Sequence, residues 1–300
     1  MFIADTHSDT LFSLGVMNRP LTDTCITPER LRQGGVSLQT FALWSGPKGP
    51  HGDYETIAEK EYAAVSQLTN AGLRQVDDPA DAVGGNAFML SLEGCEVFHK
   101  GQSAVQEWRE RGVRMGALVW NHQNRIGTPA KVNADDPLTG EGLRIVHEMQ
   151  RLGIAVDVSH LNEGGFWDLF RRGHRPPMAS HSCCRALCDH FRNLTDEQIR
   201  MMIQYGGYIG VNFYPVFLSE DGEADSVTIA QHIDHICQLG GAEIVGFGSD
   251  FDGIECFPED VQHPGQMGNL LDALRDYGYD DEALEGICGR NLLAYYQRIG

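Results

Sequence analysis

The stretch Gly140–His160, GEGLRIVHEMQRLGIAVDVSH, carries the organisation of the whole chain in miniature. Its first part sets Leu143, Val146 and Leu152 at helical spacing, giving one apolar face, and Gly153 can end the helix. Ile154–Val158 follows as a short apolar, β-branched run, the pattern of a strand buried on both faces. The run closes on Ser159-His160, so a titratable ring stands where an apolar strand has just ended.

The same succession recurs along the chain. Candidate strands lie at Met1–Thr6, Val36–Leu43, Ala87–Leu92, Gly112–Val119, Ile154–Val158, Pro177–Ser180, Tyr208–Phe213 and Glu243–Gly248. They sit about 35 residues apart on average, the size of a βα unit. Helical patterns fall between them. Tyr54–Gly72 aligns Ile57, Val65 and Leu68, and Ile229, Ile233, Ile236 and Leu239 keep a three-to-four period up to Gly240-Gly241. Ser103 to Gln106 predicts a capping box ahead of Trp108, with Gly112 ending that helix; Thr195 to Gln198 predicts another, ahead of Ile199, Met202 and Ile203. Strand and helix alternating eight times predict an α/β fold, a (β/α)8 TIM barrel spanning residues 1–300 as one domain. A doubly wound sheet has the same periodicity and stays open on this evidence.

Composition bounds the function. With 42 acidic against 23 basic residues the net charge is −19, so the chain repels polyanions and a nucleic-acid partner is not expected. No apolar run approaches the roughly 18 residues of a membrane span. The start Met1-Phe2-Ile3 shows no basic n-region and the end no lipid-anchor tail, which predicts a cytoplasmic protein without membrane attachment. Eight scattered cysteines fit reduced thiols. Cys183, Cys184 and Cys188 with His181 and His190 could be read as a structural zinc knot, but their spacing matches no C-x2-C pair of pairs; buried thiols on a helix after the sixth strand are the expectation.

Barrel enzymes carry their chemistry at the C-terminal ends of the strands. The first strand runs into His7-x-Asp9, a ring nitrogen and a carboxylate on one side of extended chain and half of a divalent-metal site. The third ends in Glu93, costly to bury without a cation or an Arg, and able to bridge two metals. The fifth and sixth end in His160 and His181, at the same level of neighbouring strands. The eighth ends in Asp250, with Gly246 and Gly248 giving the backbone room and Asp252-Gly253 reading as a turn. Three histidines and three carboxylates suit two zinc-type ions clamping a water whose pKa falls to about 7. One carboxylate is then free to shuttle protons. That set implies hydrolysis of an amide or ester.

The pattern resembles the membrane dipeptidase (renal dipeptidase) family of the amidohydrolase superfamily. The matching segments are DTHSD (Asp5–Asp9), SLEG (Ser91–Gly94), WNHQN (Trp120–Asn124), VDVSH (Val156–His160), ASHS (Ala179–Ser182), Arg192-Asn193, GYIGVNFY (Gly207–Tyr214), GFGSDFDG (Gly246–Gly253) and Asn291-Leu292-Leu293. They come in the family's order over nearly the whole chain. The resemblance implies a zinc-dependent dipeptidase cleaving free L-Xaa-L-Xaa or L-Xaa-D-Xaa dipeptides with a metal-bridging hydroxide. It implies that His7 and Asp9 hold one Zn2+, His160 and His181 the other, and Glu93 bridges both. Asp250 would be the catalytic proton carrier. Arg192 would fork onto the substrate's free carboxylate, the alternative being a surface salt bridge to Asp189 or Asp196. Tyr214 would touch substrate or pack the rim. The resemblance is also compatible with a homodimer.

One position departs from the family. Its animal members carry a carbonyl-polarising His after the fourth strand, where this chain has Trp120. Asn121 or His122 would compensate, or zinc would do more of the polarising. Specificity would lie in the loops Ser45–Asp53, Arg125–Pro137, Pro215–Asp225 and Ile254–Gly268. Another binuclear amidohydrolase (a cyclic amidase or lactonase) and a non-catalytic metal-binding barrel are the competing readings. The His7-x-Asp9 pattern and Glu93 disfavour the first, and the presence of all six site residues disfavours the second.

Overall fold

The structure is a computed structural model that describes residues 1–47 and 49–300; Lys48, in the first of the specificity loops, lies outside the described residues. Eight parallel strands form the barrel: β1 (Ile3–Asp5), β2 (Val36–Trp44), β3 (Ala87–Glu93), β4 (Val113–Ala117), β5 (Ala155–Asp157), β6 (Met178–Ala179), β7 (Tyr208–Val211) and β8 (Val245–Phe247). Each pairs with the next, and β8 pairs with β1, so the sheet closes on itself. This excludes the open doubly wound sheet. A further two-residue strand, Arg74–Gln75, extends the pairing beside the start of β3.

All eight predicted strands are present, most of them shorter than the apolar runs that announced them. The paired lengths of β5, β6 and β8 are only two or three residues. The rest of each run is apolar because it is buried, whether or not it is laddered. Strong tilt and closure limit how many residues of a barrel strand find partners.

The amphipathic faces account for the outer layer. Tyr54–Asn70 buries Ile57, Val65 and Leu68, and Gly140–Arg151 buries Ile145, Val146 and Met149. The capping box at Thr195 forms as predicted, with Gln198 reaching back to the Thr195 backbone. The one at Ser103 does not. That helix starts two residues earlier, at Gln102 behind Gly101, and Gln106 instead bonds forward to Glu110 at 3.0 Å. Gly101 has φ 94°, a left-handed turn that delivers the chain into the helix without a side-chain cap.

The barrel's two mouths differ. At the N-terminal mouth the helix Asn291–Ile299 lies across the opening, and Leu292, Tyr295, Tyr296 and Ile299 pack with Ala4, Leu38, Met89, Met115, Ala155, Met178 and Tyr208. Tyr295 Oη donates to the Pro176 carbonyl at 3.0 Å. With this end plugged, only the C-terminal mouth can admit a ligand. There the interior is tight and polar: Thr6 Oγ1 donates to the carbonyls of Ser180 (2.6 Å) and Phe247 (2.9 Å), tying β1 to the β6 and β8 ends. The room foreseen for Gly248 is real, since a Cβ there would lie 1.8 Å from the Ser180 carbonyl oxygen.

Two substitutions test this account. Gly248→Ala drives a methyl into backbone that cannot yield and should lower unfolding free energy by about 3 kcal/mol. Thr195→Ala removes only a cap and should cost about 1 kcal/mol. Urea denaturation of both variants checks the ranking.

Candidate metal centre

The strand ends bring His7, Asp9, Glu93, His160, His181 and Asp250 together at the C-terminal mouth. Glu93 Oε1 is the focus. It lies 3.7 Å from His7 Nε2, 2.9 Å from His160 Nε2 and 3.6 Å from His181 Nε2. His7 Nε2 is also 3.4 Å from Asp9 Oδ2 and 3.7 Å from Asp250 Oδ1. His160 Nε2 and His181 Nε2 approach to 3.1 Å. The donor atoms of His7, Glu93 and His181, and of His7, Asp9 and Asp250, each fall within 4.8 Å of one another, as metal-holding groups do. All six residues are at least nine-tenths buried.

The outer atoms of these side chains are held by other parts of the fold. His181 Nδ1 is 2.7 Å from Ser180 Oγ, which in turn donates to Asp157. The ring must therefore donate from Nδ1 and keep its Nε2 lone pair free. His160 Nδ1 meets Asn121 Oδ1 at 3.1 Å, which fixes the same tautomer. Asp250 Oδ2 accepts from Asn212 Nδ2 at 2.9 Å, leaving Oδ1 toward His7.

Electrostatics point to a missing positive charge. Burial holds the His160 and His181 pKa values well below the usual imidazole range, so both are neutral, the form that ligates metals. Burial pushes the Glu93 carboxyl well above its ordinary value, with Asp9 adding to the effect, and pushes Asp250 up to about 7. Burial alone would lower His7, but Asp9, Glu93 and Asp250 together push it up to about 10. Yet His7 Nε2 is buried without a hydrogen-bond partner. A cluster that draws a proton so strongly onto an unpartnered nitrogen is a cluster built for a cation. Three imidazoles and three carboxylates fit a divalent transition metal.

The backbone is strained at two of the six. His160 has φ 68° and Asp250 φ 65°, left-handed values that non-glycine residues rarely adopt. Gly253 is more than the turn residue expected of it: a Cβ there would sit 2.0 Å from Asp9 Oδ2 and 2.5 Å from Asp250 Oδ1. Asp252 is not aimed at the cluster. Its oxygens accept from Thr10 Oγ1 at 2.6 Å and from the Cys25 amide at 2.7 Å.

Around the cluster opens a cavity of about 600 Å3. Arg192 lines it, is buried, and makes no ion pair among the described residues; the surface bridge to Asp189 or Asp196 is therefore not formed. Asp196 pairs with His235 and Arg200 instead. Arg192 Nη2 reaches only the His181 carbonyl at 3.4 Å, and its Nε has no partner. Trp120, Asn121 and Tyr214 also line the cavity. Asn121's amide oxygen is engaged by His160, and Tyr214 Oη donates to Glu255 at 2.9 Å. His122 is exposed and outside the lining, its ring 5.4 Å from that of Trp120. Cys183, Cys184 and Cys188 are buried free thiols, but in an irregular segment, not a helix. His181 is committed to the mouth, so no zinc knot forms with them.

Four residues were not singled out beforehand. Asp5 accepts from the amides of His7 (3.3 Å) and Ser249 (2.9 Å) and from Ser249 Oγ. Asp157 accepts in the same way from the amides of Ser159 and Ser180 (2.9 Å each) and from Ser180 Oγ. Each clamps the chain that carries a candidate ligand to the neighbouring strand end. With Asn212 and Ser180 they complete the support of the cluster.

The membrane dipeptidase (peptidase M19) family profile matches residues 1–299. An uncharacterised protein from the pqqA 5′ region of Klebsiella pneumoniae is 35% identical over 223 residues, 71% of this chain and 82% of its own length. Dipeptidase aclJ of Aspergillus oryzae is 28% identical over 288 residues, 88% of this chain and 67% of its own. The Rhodobacter sphaeroides metallopeptidase, solved with a phosphinate mimic of L-Ala-D-Ala, superposes with a TM-score of 0.90 at 25% identity, covering 100% of this chain and 99% of its own. Among the described residues no helix is long and apolar enough to cross a membrane. From the family match, the barrel and its dipeptidase relatives together, the chain belongs to the membrane dipeptidase family and is a metallo-dipeptidase, a hydrolase of peptide bonds.

Proposed function

We propose that this dipeptidase uses two zinc ions to hydrolyse free dipeptides made of an L-residue followed by an L- or D-residue. The observation that carries the reading is the convergence of three imidazole Nε2 atoms on Glu93 Oε1, with Asp9 and Asp250 facing the buried, unpartnered His7 Nε2. His7 and Asp9 would hold one ion, His160 and His181 the other, and Glu93 would touch both. When bound, the pair would supply a water of lowered pKa and polarise the scissile carbonyl, a task for which the cavity lining offers no histidine after β4.

The chain's own groups do the rest. Asp250, with Oδ2 pinned by Asn212 and Oδ1 facing the cluster, takes the proton of the attacking water and hands it to the leaving amine. Arg192 presents a buried guanidinium whose charge is unpaired. Its burial is costly, and a substrate carboxylate is the partner that would offset it. That anchor admits dipeptides with a free C-terminus and orients the peptide bond over the cluster. A D-residue at the C-terminal position is supported by the L-Ala-D-Ala mimic bound by the Rhodobacter relative.

Three measurements test the reading. Metal analysis of zinc-supplemented protein should give close to two ions per chain, and chelation should abolish hydrolysis; fewer than one ion per chain refutes a binuclear centre. Asp250→Asn should retain both ions while kcat falls by roughly 10²–10⁴. Retained rate would remove Asp250 from proton transfer. Arg192→Ala should raise KM for free dipeptides by about 10- to 100-fold and much less for C-terminally amidated ones. Equal effects on the two substrates would show that Arg192 does not read the carboxylate.

A further inference from the structure

The cavity has one wall that neither the metal cluster nor the hydrophobic core accounts for. Phe12, Trp44 and Trp120 all line it, and none belongs to the packed core. They form an edge-to-face series. Phe12 and Trp44 have ring centroids 5.3 Å apart at 83°, and Trp44 and Trp120 5.1 Å apart at 88°. That is the preferred arrangement of aromatic pairs, so the three rings stiffen one another while presenting apolar surface to the cavity. All three are partly exposed.

A second observation shows that the wall is built in. The Trp44 indole folds back over the backbone of Gly46. A Cβ at position 46 would lie 2.1 Å from Trp44 Cζ2 and 2.2 Å from Cη2. Only glycine at 46 leaves the indole in this place.

Topology decides which part of a substrate meets the wall. Trp44 ends β2, whereas Arg192 follows β6. In a closed ring of eight strands β2 and β6 are opposite, and the cluster around Glu93 lies between them. A dipeptide with its carboxylate on Arg192 and its carbonyl over the cluster therefore directs its N-terminal residue toward β2.

We infer that Phe12, Trp44 and Trp120 form the pocket for the side chain of the dipeptide's N-terminal residue and select large apolar side chains there, aromatic ones above all. The inference rests on the proposed substrate reading, in which Arg192 holds the carboxylate. Gly46 is a positioning residue that acts through Trp44. An acidic N-terminal side chain finds no hydrogen-bond or charge partner on this apolar wall.

The test uses the zinc-loaded full chain and two dipeptide series. In one, L-Xaa-L-Ala, the first residue is Ala, Leu, Phe or Asp; in the other, L-Ala-L-Xaa, the second residue is varied likewise. L-Phe-L-Ala should exceed L-Ala-L-Ala in kcat/KM by about 10-fold or more, chiefly through KM. Trp44→Ala and Gly46→Ala should each cut that first-position ratio to within about 3-fold of unity, again through KM, and leave the order of the second series as it was. A wild-type enzyme that does not prefer Phe over Ala at the first position overturns the inference, and so does a preference that survives both variants. A change confined to the second series would assign the wall to the C-terminal residue and overturn it equally. If neither series is cleaved, the substrate reading itself fails and the inference falls with it.

Discussion

The constraint on which this molecule depends is the burial of three carboxylates, Asp9, Glu93 and Asp250, at one end of a barrel. The donor atoms of Asp9 and Asp250 lie within 4.8 Å of each other. Two like charges no farther apart than that repel by at least about 3.5 kcal/mol even at an effective dielectric of 20. Glu93 adds a third, and burial itself opposes ionisation. With all three ionised, Arg192 and a protonated His7 offset only two of the charges, because His160 and His181 are held neutral. Added positive charge would let all three carboxylates ionise together. The fold supplies neutral nitrogens aimed at the same point, which is where a cation would be coordinated.

Bringing those groups to one point is a demand on the whole chain, because the donors come from β1, β3, β5, β6 and β8 or the residues just after them. Closure alone does not aim them. Asp5 and Asp157 each hold a neighbouring strand's serine and an amide close to a candidate ligand. His160 and Asp250 sit in left-handed backbone that their neighbours must over-determine. The ladder contributes here too: the Asp250 amide bonds the His7 carbonyl at 3.2 Å and the Ala130 amide bonds the His160 carbonyl at 2.8 Å. Strain at the ligands is thus balanced by hydrogen bonds that serve no ligand directly.

This division explains what could be read in advance. Strands such as Ala87–Glu93 announce themselves because burial on both faces demands an unbroken apolar run, and a His, Asp or Glu ending such a run has no ordinary reason to be there. The supporting residues have no such contrast. Asp5 and Asp157 look like strand-terminal turn residues, and Asn212 looks like any polar residue after β7. Their roles exist only through partners 244, 23 and 38 residues away in sequence. Gly101 displaced the expected Ser103 cap for a related reason, since the turn entering the helix is set by the preceding short helix Glu96–Lys100 and not by local cap chemistry. For Arg192 the residues alone favour a surface salt bridge and only the family resemblance implies a carboxylate fork; its burial without an ion pair among the described residues excludes the surface pairing.

Trp120-Asn121 shows how one changed position is absorbed. Successive residues leaving β4 serve different neighbours: Asn121 turns to His160 Nδ1 at 3.1 Å, and Trp120 turns to Trp44. Asn121 thus sets the tautomer of a candidate ligand, while Trp120 presents apolar surface in place of the histidine that the family resemblance implies. A titratable ring at 120 would stand close to His160, whose ring centroid is 6.4 Å from that of Trp120, and its protonation would oppose a cation on the cluster. With Trp120 that coupling is absent, and under the proposed function the polar work beside the cluster would fall to the metal, Asp250 and Arg192. The substitution therefore moves the site's chemistry toward its charges while giving the cavity a wall made for apolar contact.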